Sequence, residues 1–395
     1  MLPGSKSESN RLLILQKLFP FIQIENLSNA DDTSVLLKAL NSEDRVIDIG
    51  HAGTAMRFLT AFFAVQEGKT TQLTGSKRMQ ERPIKVLVDA LVELGAEIQY
   101  LKKDGFPPIE IKGKKLTKSK IRVNGNISSQ YISALLLVAP SLSSGLEIEL
   151  LGNITSIPYI KMTLSLLNKL GVKTSFKDKF IVVEPIQNLE FKTQNFRIEP
   201  DWSSASYYYS LAALQPNTKI ELVGFKKNSL QGDSILPDIY EKLGIKTTFT
   251  NNGLFLESTN TTLNNNPLTF NLIQTPDLAQ TIAVTCLGLG IECHLMGLHT
   301  LKIKETDRLQ ALKNELEKLG ASVKITNDSL FLKSNFLPFE KDGSGTFLIK
   351  TYDDHRMAMA FAPLSVLQAI SIENATVVSK SYPNFWEDWK AVFNT

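Results

Sequence analysis

A chain of 395 residues with 43% hydrophobic content is long enough for two or three domains with real cores, which excludes intrinsic disorder. Lys+Arg 43 against Asp+Glu 40 leaves a net charge of +3, too balanced for a broad basic face that grips nucleic acid or an anionic membrane. Only nine of the cations are Arg, and five of these (Arg11, Arg57, Arg82, Arg308, Arg356) fall in the motifs below, the usage expected where planar carboxylate or phosphate groups are bound.

In chain order, the first predicted element is a helix opening at GSKSESNR (4–11). The residues before it lack the apolar region of a signal peptide, and the polar motif begins so early that the natural chain is expected to start further upstream or to have been trimmed. A second helix opens at HAGTAMR (51–57), and a second type of segment follows: IKVLVDALVELGAEIQYL (84–101), an amphipathic helix ending in Leu-Gly, then an alternating strand. Helix starts recur at NISSQ (126–130), DWSSAS (201–206), TPDLAQT (275–281) and DDHRMAM (353–359), each leading into a very apolar run. The Leu-Gly segment recurs as well, at 159–176, 235–249 and 309–325. Gly95, Gly171, Gly244 and Gly320 suit a left-handed helix cap, and Asp104-Gly105, Lys177-Asp178, Asn252-Gly253 and Asn327-Asp328 suit hairpin turns.

Six apolar-helix units and four Leu-Gly units imply internal duplication. A period near 75 residues is too long for a solenoid, so three units per globular half are expected, with the break near Glu199-Pro200. The polar starts place unpaired N–H groups and the positive end of helix dipoles together, which makes anion sites. Single Ser, Thr or Asn residues at such starts are ordinarily caps. Cations beside the same starts (Lys6 and Arg11, Arg57, Arg356) are unfavourable unless an anion is their common partner. KETDRL (304–309) adds Lys304, Glu305 and Arg308, a segment that also reads as a solvated salt-bridged face.

Cys286 and Cys293 lie in an apolar stretch and read as core in a reducing compartment, the cytoplasm. His294 and His299 nearby do not complete a metal site, and no metal is expected. No run approaches the ~20 apolar residues of a membrane span. Neither a phosphate-loop GxxxxGK[ST] nor a GxSxG elbow is present, which leaves His355 as an anion ligand or proton-transfer aid rather than a triad base.

The segments LPGSKSESNR (2–11), AGTAMR (52–57), RMQERP (78–83), SSQYISALL (128–136), KETDRL (304–309) and DDHRMAMAF (353–361) together resemble the 5-enolpyruvylshikimate-3-phosphate synthases, a family of carboxyvinyltransferases, over nearly the whole chain. The resemblance implies an α/β two-domain enolpyruvyl transferase fold, an inside-out barrel with three βαβαββ-type units and buried helices in each domain. Residues 5–199 would form the shikimate phosphate side, and 200–395 with 1–4 the phosphoenolpyruvate and acid/base side. It further implies transfer of the enolpyruvyl group of phosphoenolpyruvate to the 5-hydroxyl of shikimate 3-phosphate, by addition and elimination through a tetrahedral intermediate. No cofactor, nucleic-acid partner or membrane is involved, and the enzyme would be a monomer.

Carried over residue by residue, Ser128, Ser129 and Ser156 would hold the shikimate phosphate, with Ser7, Arg11, Gln130, Tyr159 and Lys304 on the rest of that substrate. Lys6, Arg82 and Lys380 would face the phosphate of phosphoenolpyruvate, beside Gly53 and Gln130. Arg308 and Arg356 would clamp its carboxylate in bidentate fashion. Asp277 would accept the hydroxyl proton and also touch the shikimate substrate, Glu305 would handle the methylene proton, and Lys6 would assist phosphate departure. His51, His355 and Thr300 are further candidates. His51, Phe58, Ile157 and Thr300 depart from the family pattern, and the family's opening strand is absent, which should expose a sheet edge in the C-terminal half. Glyphosate is expected to compete with phosphoenolpyruvate beside Gly53, where an added methyl group should raise its inhibition constant more than the Michaelis constant. Two other readings stay open. A sister transferase acting on UDP-N-acetylglucosamine would need a loop cysteine. A non-catalytic phosphate- or RNA-binding repeat protein would need no Asp277 or Glu305.

Overall fold

The computed structural model describes residues 2–126, 128–186, 193–259, 266–334 and 345–393. The chain divides into two compact units, Gly4–Ile198 and Glu199–Thr395 with Met1–Pro3.

In the first unit the predicted helix starts become α1 (Lys6–Leu18), α2 (Gly53–Ala64) and α3 (Ser129–Val138). Apolar residues surround α2 and α3 on every side, and a helix of that kind is stable only inside a core. Eleven of the twelve residues of α2 and nine of the ten of α3 are buried. Two four-stranded sheets share one plan. Val46–Asp48 runs parallel to Thr70–Thr74, and the hairpin of Glu97–Tyr100 and Ile109–Lys112 adds antiparallel strands at its side. Lys120–Asn124, Leu146–Leu151, Phe180–Val183 and Thr174–Lys177 repeat that plan. Among the described residues the third sheet is a parallel pair, Ile22–Glu25 with Gln194–Arg197.

The second unit carries α4 (Trp202–Leu214), α5 (Ala279–Gly288) and α6 (His355–Phe361), again almost wholly buried. One sheet has the full plan, in the order Leu268–Asn271, Cys293–Met296, Ser329–Lys333, Ser322–Ile325. Another is three-stranded, with Lys219–Val223 at its edge beside Gly253–Ser258 and Ile245–Phe249. The last is the parallel pair Phe347–Ile349 and Ile370–Ile372. The six-unit expectation therefore needs refinement. Among the described residues three of the six sheets are four-stranded; four segments carry the Leu-Gly helix and hairpin, and the fourth of these hairpins belongs to the three-stranded sheet.

Those four glycines all adopt the left-handed conformation, with φ of 110°, 84°, 82° and 90° at Gly95, Gly171, Gly244 and Gly320. Each ends a helix and reverses the chain into a strand, a conformation in which a Cβ is costly. Asp178 makes the tight reversal between Thr174–Lys177 and Phe180–Val183 with φ 53°. Asp104-Gly105 lies instead within a longer connection, since the strands it was expected to join end at Tyr100 and resume at Ile109.

Candidate active site

The second unit assembles an ion cluster from four separate chain segments. Asp277 lies in a single 3-10 turn, Pro276–Leu278, that leads into α5. Arg308 opens the helix Arg308–Lys318, which Asp307 caps by accepting from the backbone N–H of Leu309 and Gln310. Arg308 is 2% exposed, and its guanidinium donates to three carboxylates. Nε reaches Asp354 Oδ2 at 2.6 Å, NH2 reaches Asp354 Oδ1 at 3.3 Å and Glu305 Oε2 at 2.9 Å, and NH1 reaches Asp277 Oδ1 at 2.8 Å. Burial alone would loosen the Arg308 proton, but Asp354, Glu305 and Asp277 hold it more firmly than in water.

Around this fork, Lys304 Nζ lies 3.4 Å from Asp277 Oδ1, and Lys380 Nζ lies 3.8 Å from Glu305 Oε1. Arg356 donates to Asp277 O at 3.3 Å and to Ser203 Oγ at 3.3 Å, with its NH2 3.5 Å from Asp277 Oδ2. Burial raises the affinity of Asp277 for a proton, yet Lys304, Arg356 and Arg308 outweigh it and hold the carboxyl far below the usual carboxylate range. Asp354, fully buried, caps α6 by accepting from the backbone N–H of Arg356 at 2.9 Å. The preceding Tyr352 and Asp353 both sit at φ 54°, an uncommon pair of left-handed residues that swings the chain into this cap. His355 is buried, with Nδ1 3.7 Å from Asp354 Oδ1. Thr300 is buried, and its Oγ1 has no partner among the described residues.

In the first unit, the Ser5 hydroxyl caps α1, and Lys6 pairs with Asp32 at 3.2 Å. Arg11 is buried, with Glu8 as a nearby charge. It donates to Thr163 Oγ1 at 2.8 Å, Ser7 O at 2.8 Å, Ser133 Oγ at 2.9 Å and Tyr159 O at 3.3 Å. Burial lowers its pKa to about 10. Arg57 likewise uses carbonyls, those of Gly53 and Pro83, both at 3.1 Å. Neutral hydroxyls and carbonyls thus contact both Arg11 and Arg57. Both lie beyond the first residues of their helices, where the orphan N–H groups have ended.

Arg82 differs. It is 8% exposed, and its Nε has no hydrogen-bond partner among the described residues. Gly53, the first residue of α2, faces it so closely that a Cβ there would lie 2.6 Å from Arg82 NH1. The crowding expected from a methyl group at Gly53 thus falls first on the protein's own guanidinium. Ser128 caps α3 by accepting from Gln130 N, Ser129 is buried, and Gln130 Nε2 donates to Thr54 Oγ1 at 3.1 Å. Ser156 begins the helix Ile157–Lys169 at φ 53°, with no cap bond from its own side chain. The Tyr159 ring lies 5.8 Å from the Arg11 guanidinium. The exposed His51 pairs through Nδ1 with Ser76 Oγ at 2.9 Å.

Sequence reasoning missed Asp32, Ser203 and Asp354 as members of these groups. Asp354 carried a readable signal, since an acid just before an apolar helix is a favoured cap. Asp32 lies in the first turn of the helix Asp31–Asn41, which on its own reads only as dipole complementation.

A likeness to solved structures extends over both units. An EPSP synthase from Acinetobacter baumannii superposes with TM-score 0.75 at 20% identity, covering 98% of this chain and 93% of that one. An enolpyruvyl transferase from Streptomyces tendae superposes with TM-score 0.73 at 14% identity, covering 99% and 94%. The architecture is that of the enolpyruvyl transferases. The sequence model described as EPSP synthase (3-phosphoshikimate 1-carboxyvinyltransferase) matches residues 33–389. A 3-phosphoshikimate 1-carboxyvinyltransferase from Bacteroides fragilis (strain YCH46) is 46% identical over 390 residues, 98% of this chain and 93% of that protein. One from Mannheimia haemolytica is 36% identical over 418 residues, 98% and 94% respectively. The chain belongs to the EPSP synthase family.

Proposed function

We propose that this chain carries out its family's reaction with the residues described above. The enzyme transfers the enolpyruvyl group of phosphoenolpyruvate to shikimate 3-phosphate, a step in making aromatic amino acids. The observation that carries the division of roles is that one buried guanidinium, Arg308, holds Asp277 on NH1 and Glu305 on NH2. An acid and a base are thereby fixed on adjacent nitrogens, the arrangement that addition and elimination across one double bond require.

In the addition, the 5-hydroxyl oxygen bonds to C2 of phosphoenolpyruvate while Asp277 takes the hydroxyl proton and Glu305 gives a proton to C3. In the elimination, Glu305 recovers a proton from C3, the double bond reforms, and phosphate leaves, assisted by Lys6. The depressed pKa of Asp277 makes it a poor base while Lys304, Arg356 and Arg308 lean on it. A substrate carboxylate that draws the two arginines toward itself restores basicity at the moment it is needed. Arg82 supports a phosphate site, because a buried guanidinium with an unpaired Nε is costly until an anion arrives. Lys6 and Lys380 serve the same phosphate. Ser128, Ser129 and Ser156 would hold the shikimate phosphate at helix starts, with Ser7, Arg11, Gln130, Tyr159 and Lys304 around the ring and with His51, His355 and Thr300 nearby.

No cysteine fits the sister transferase, since Cys286 and Cys293 are both buried, and a binding-only repeat protein has no use for the Asp277–Arg308–Glu305 arrangement. No described helix is long and apolar enough to cross a membrane. A cytoplasmic monomer is part of the proposal; the free thiols fit a reducing compartment. The test is phosphate release from phosphoenolpyruvate, expected only with shikimate 3-phosphate present and unchanged by chelators. Glu305→Gln should cut turnover by at least ~10²-fold while shikimate 3-phosphate still binds. Release without the second substrate, or full turnover in that variant, would refute the scheme.

A further inference from the structure

Asp233 is a carboxylate that the scheme above does not use. It lies in the short 3-10 turn Gly232–Ile235 and is 2% exposed. Its Oδ2 accepts a short hydrogen bond from the Ser203 hydroxyl, while Oδ1 has no partner among the described residues. Ser203, near the start of α4, in turn accepts from Arg356 NH2 at 3.3 Å. A serine hydroxyl has one proton to give, and here it goes to Asp233, so the oxygen lone pairs face Arg356. The charged groups facing Asp233 are Arg356 from α6, Asp277 from the turn before α5 and Asp201 at the cap of α4. Arg356 thus stands between two anions. Asp277 draws it through the backbone carbonyl and Oδ2, and the Ser203–Asp233 pair draws it from another segment.

We propose that Asp233, acting through Ser203, is a positioning residue that shares Arg356 with Asp277 and holds its guanidinium ready for the carboxylate of phosphoenolpyruvate. This rests on the reading of Arg356 as a carboxylate ligand. A protein seldom buries a carboxylate with one oxygen unsatisfied, and such sites cluster where the charge serves a function. Burial, the largest influence, pushes the Asp233 carboxyl up to about 6, with Asp277 and Asp201 adding to it while Arg356 and the Ser203 hydrogen bond oppose it. The positioning charge is therefore present at neutral pH and lost in mild acid.

The test uses Asp233→Asn, Ser203→Ala and Ser203→Thr in the full chain. Asp233→Asn and Ser203→Ala should each raise KM for phosphoenolpyruvate roughly 10-fold, the size of one hydrogen bond, with a smaller change in kcat and in KM for shikimate 3-phosphate. Ser203→Thr keeps the hydroxyl and should restore the wild-type KM. The ratio of Asp233→Asn to wild-type KM should fall toward one below pH ~6, because the wild type then loses the same charge; taking the ratio removes the titration of the substrates. Asp233→Asn should melt no lower than wild type. If Asp233→Asn does not fold, the serine pair decides. Active variants whose KM matches wild type, or whose kcat and both KM values worsen together with a lower melting temperature, would overturn the positioning role alone. A wild-type chain that releases no phosphate would overturn the proposed function and this role with it.

Discussion

Replacing Arg308 by Met removes the centre of the ion cluster while keeping much of the side-chain volume. The largest loss falls on Asp354, which is fully buried and takes both its Nε and NH2 contacts from this one guanidinium. Asp277 retains Lys304 and Arg356, and Glu305 retains Lys380. Removing one partner of a buried ion pair costs about 3–5 kcal/mol, because the other charge stays desolvated. For a unit of this size each kcal/mol moves the melting temperature by roughly 2–4 °C, so a fall of about 6–20 °C at pH 7 is expected in calorimetry or thermal circular dichroism.

Adding Asp354→Asn to Arg308→Met removes the stranded charge and should recover a coupling of about 1–3 kcal/mol. The pH dependence follows from Asp277, whose folded pKa is depressed. Its stabilisation is present above the unfolded carboxylate value near ~4 and is lost as pH falls below it. Part of that stabilisation comes from Arg308, so the gap between wild type and Arg308→Met should narrow in acid. A single variant melting within ~3 °C of wild type, or a double variant no more stable than the single, would refute the assignment of Arg308 as the keystone of this unit.

Arg82→Met should leave the melting temperature unchanged or higher, since it removes a buried guanidinium with an unpaired Nε, while raising KM for phosphoenolpyruvate at least ~10-fold. A marked loss of stability would show that the protein itself holds Arg82. Gly53→Ala should fold, because the position does not need a left-handed backbone, but its methyl group forces Arg82 NH1 to move from 2.6 Å. KM for phosphoenolpyruvate and the inhibition constant of glyphosate should therefore both rise. An unchanged KM would show that Arg82 yields without loss of binding.

By itself the sequence determined the repeated parts of this protein. Four Leu-Gly helix ends forecast four left-handed glycines and four hairpins, and six polar-to-apolar starts forecast six buried helices, because helix capping and burial act within a few residues. The proposed acid/base residues and cations came into view only through the family resemblance, since Asp277, Glu305 and Arg308 carry no periodic signal. What only the tertiary structure decided is which of the cations are already satisfied. Arg11 finds Ser133 and Thr163, 122 and 152 residues away in the chain, whereas among the described residues Arg82 Nε has no hydrogen-bond partner. Arg308 and Asp354, 46 residues apart, and Ser203 and Asp233, 30 apart, likewise meet only once separate helices pack. Ion pairs and buried polar contacts depend on distance in space and on lost solvent, and neither quantity exists in the chain until the core has formed.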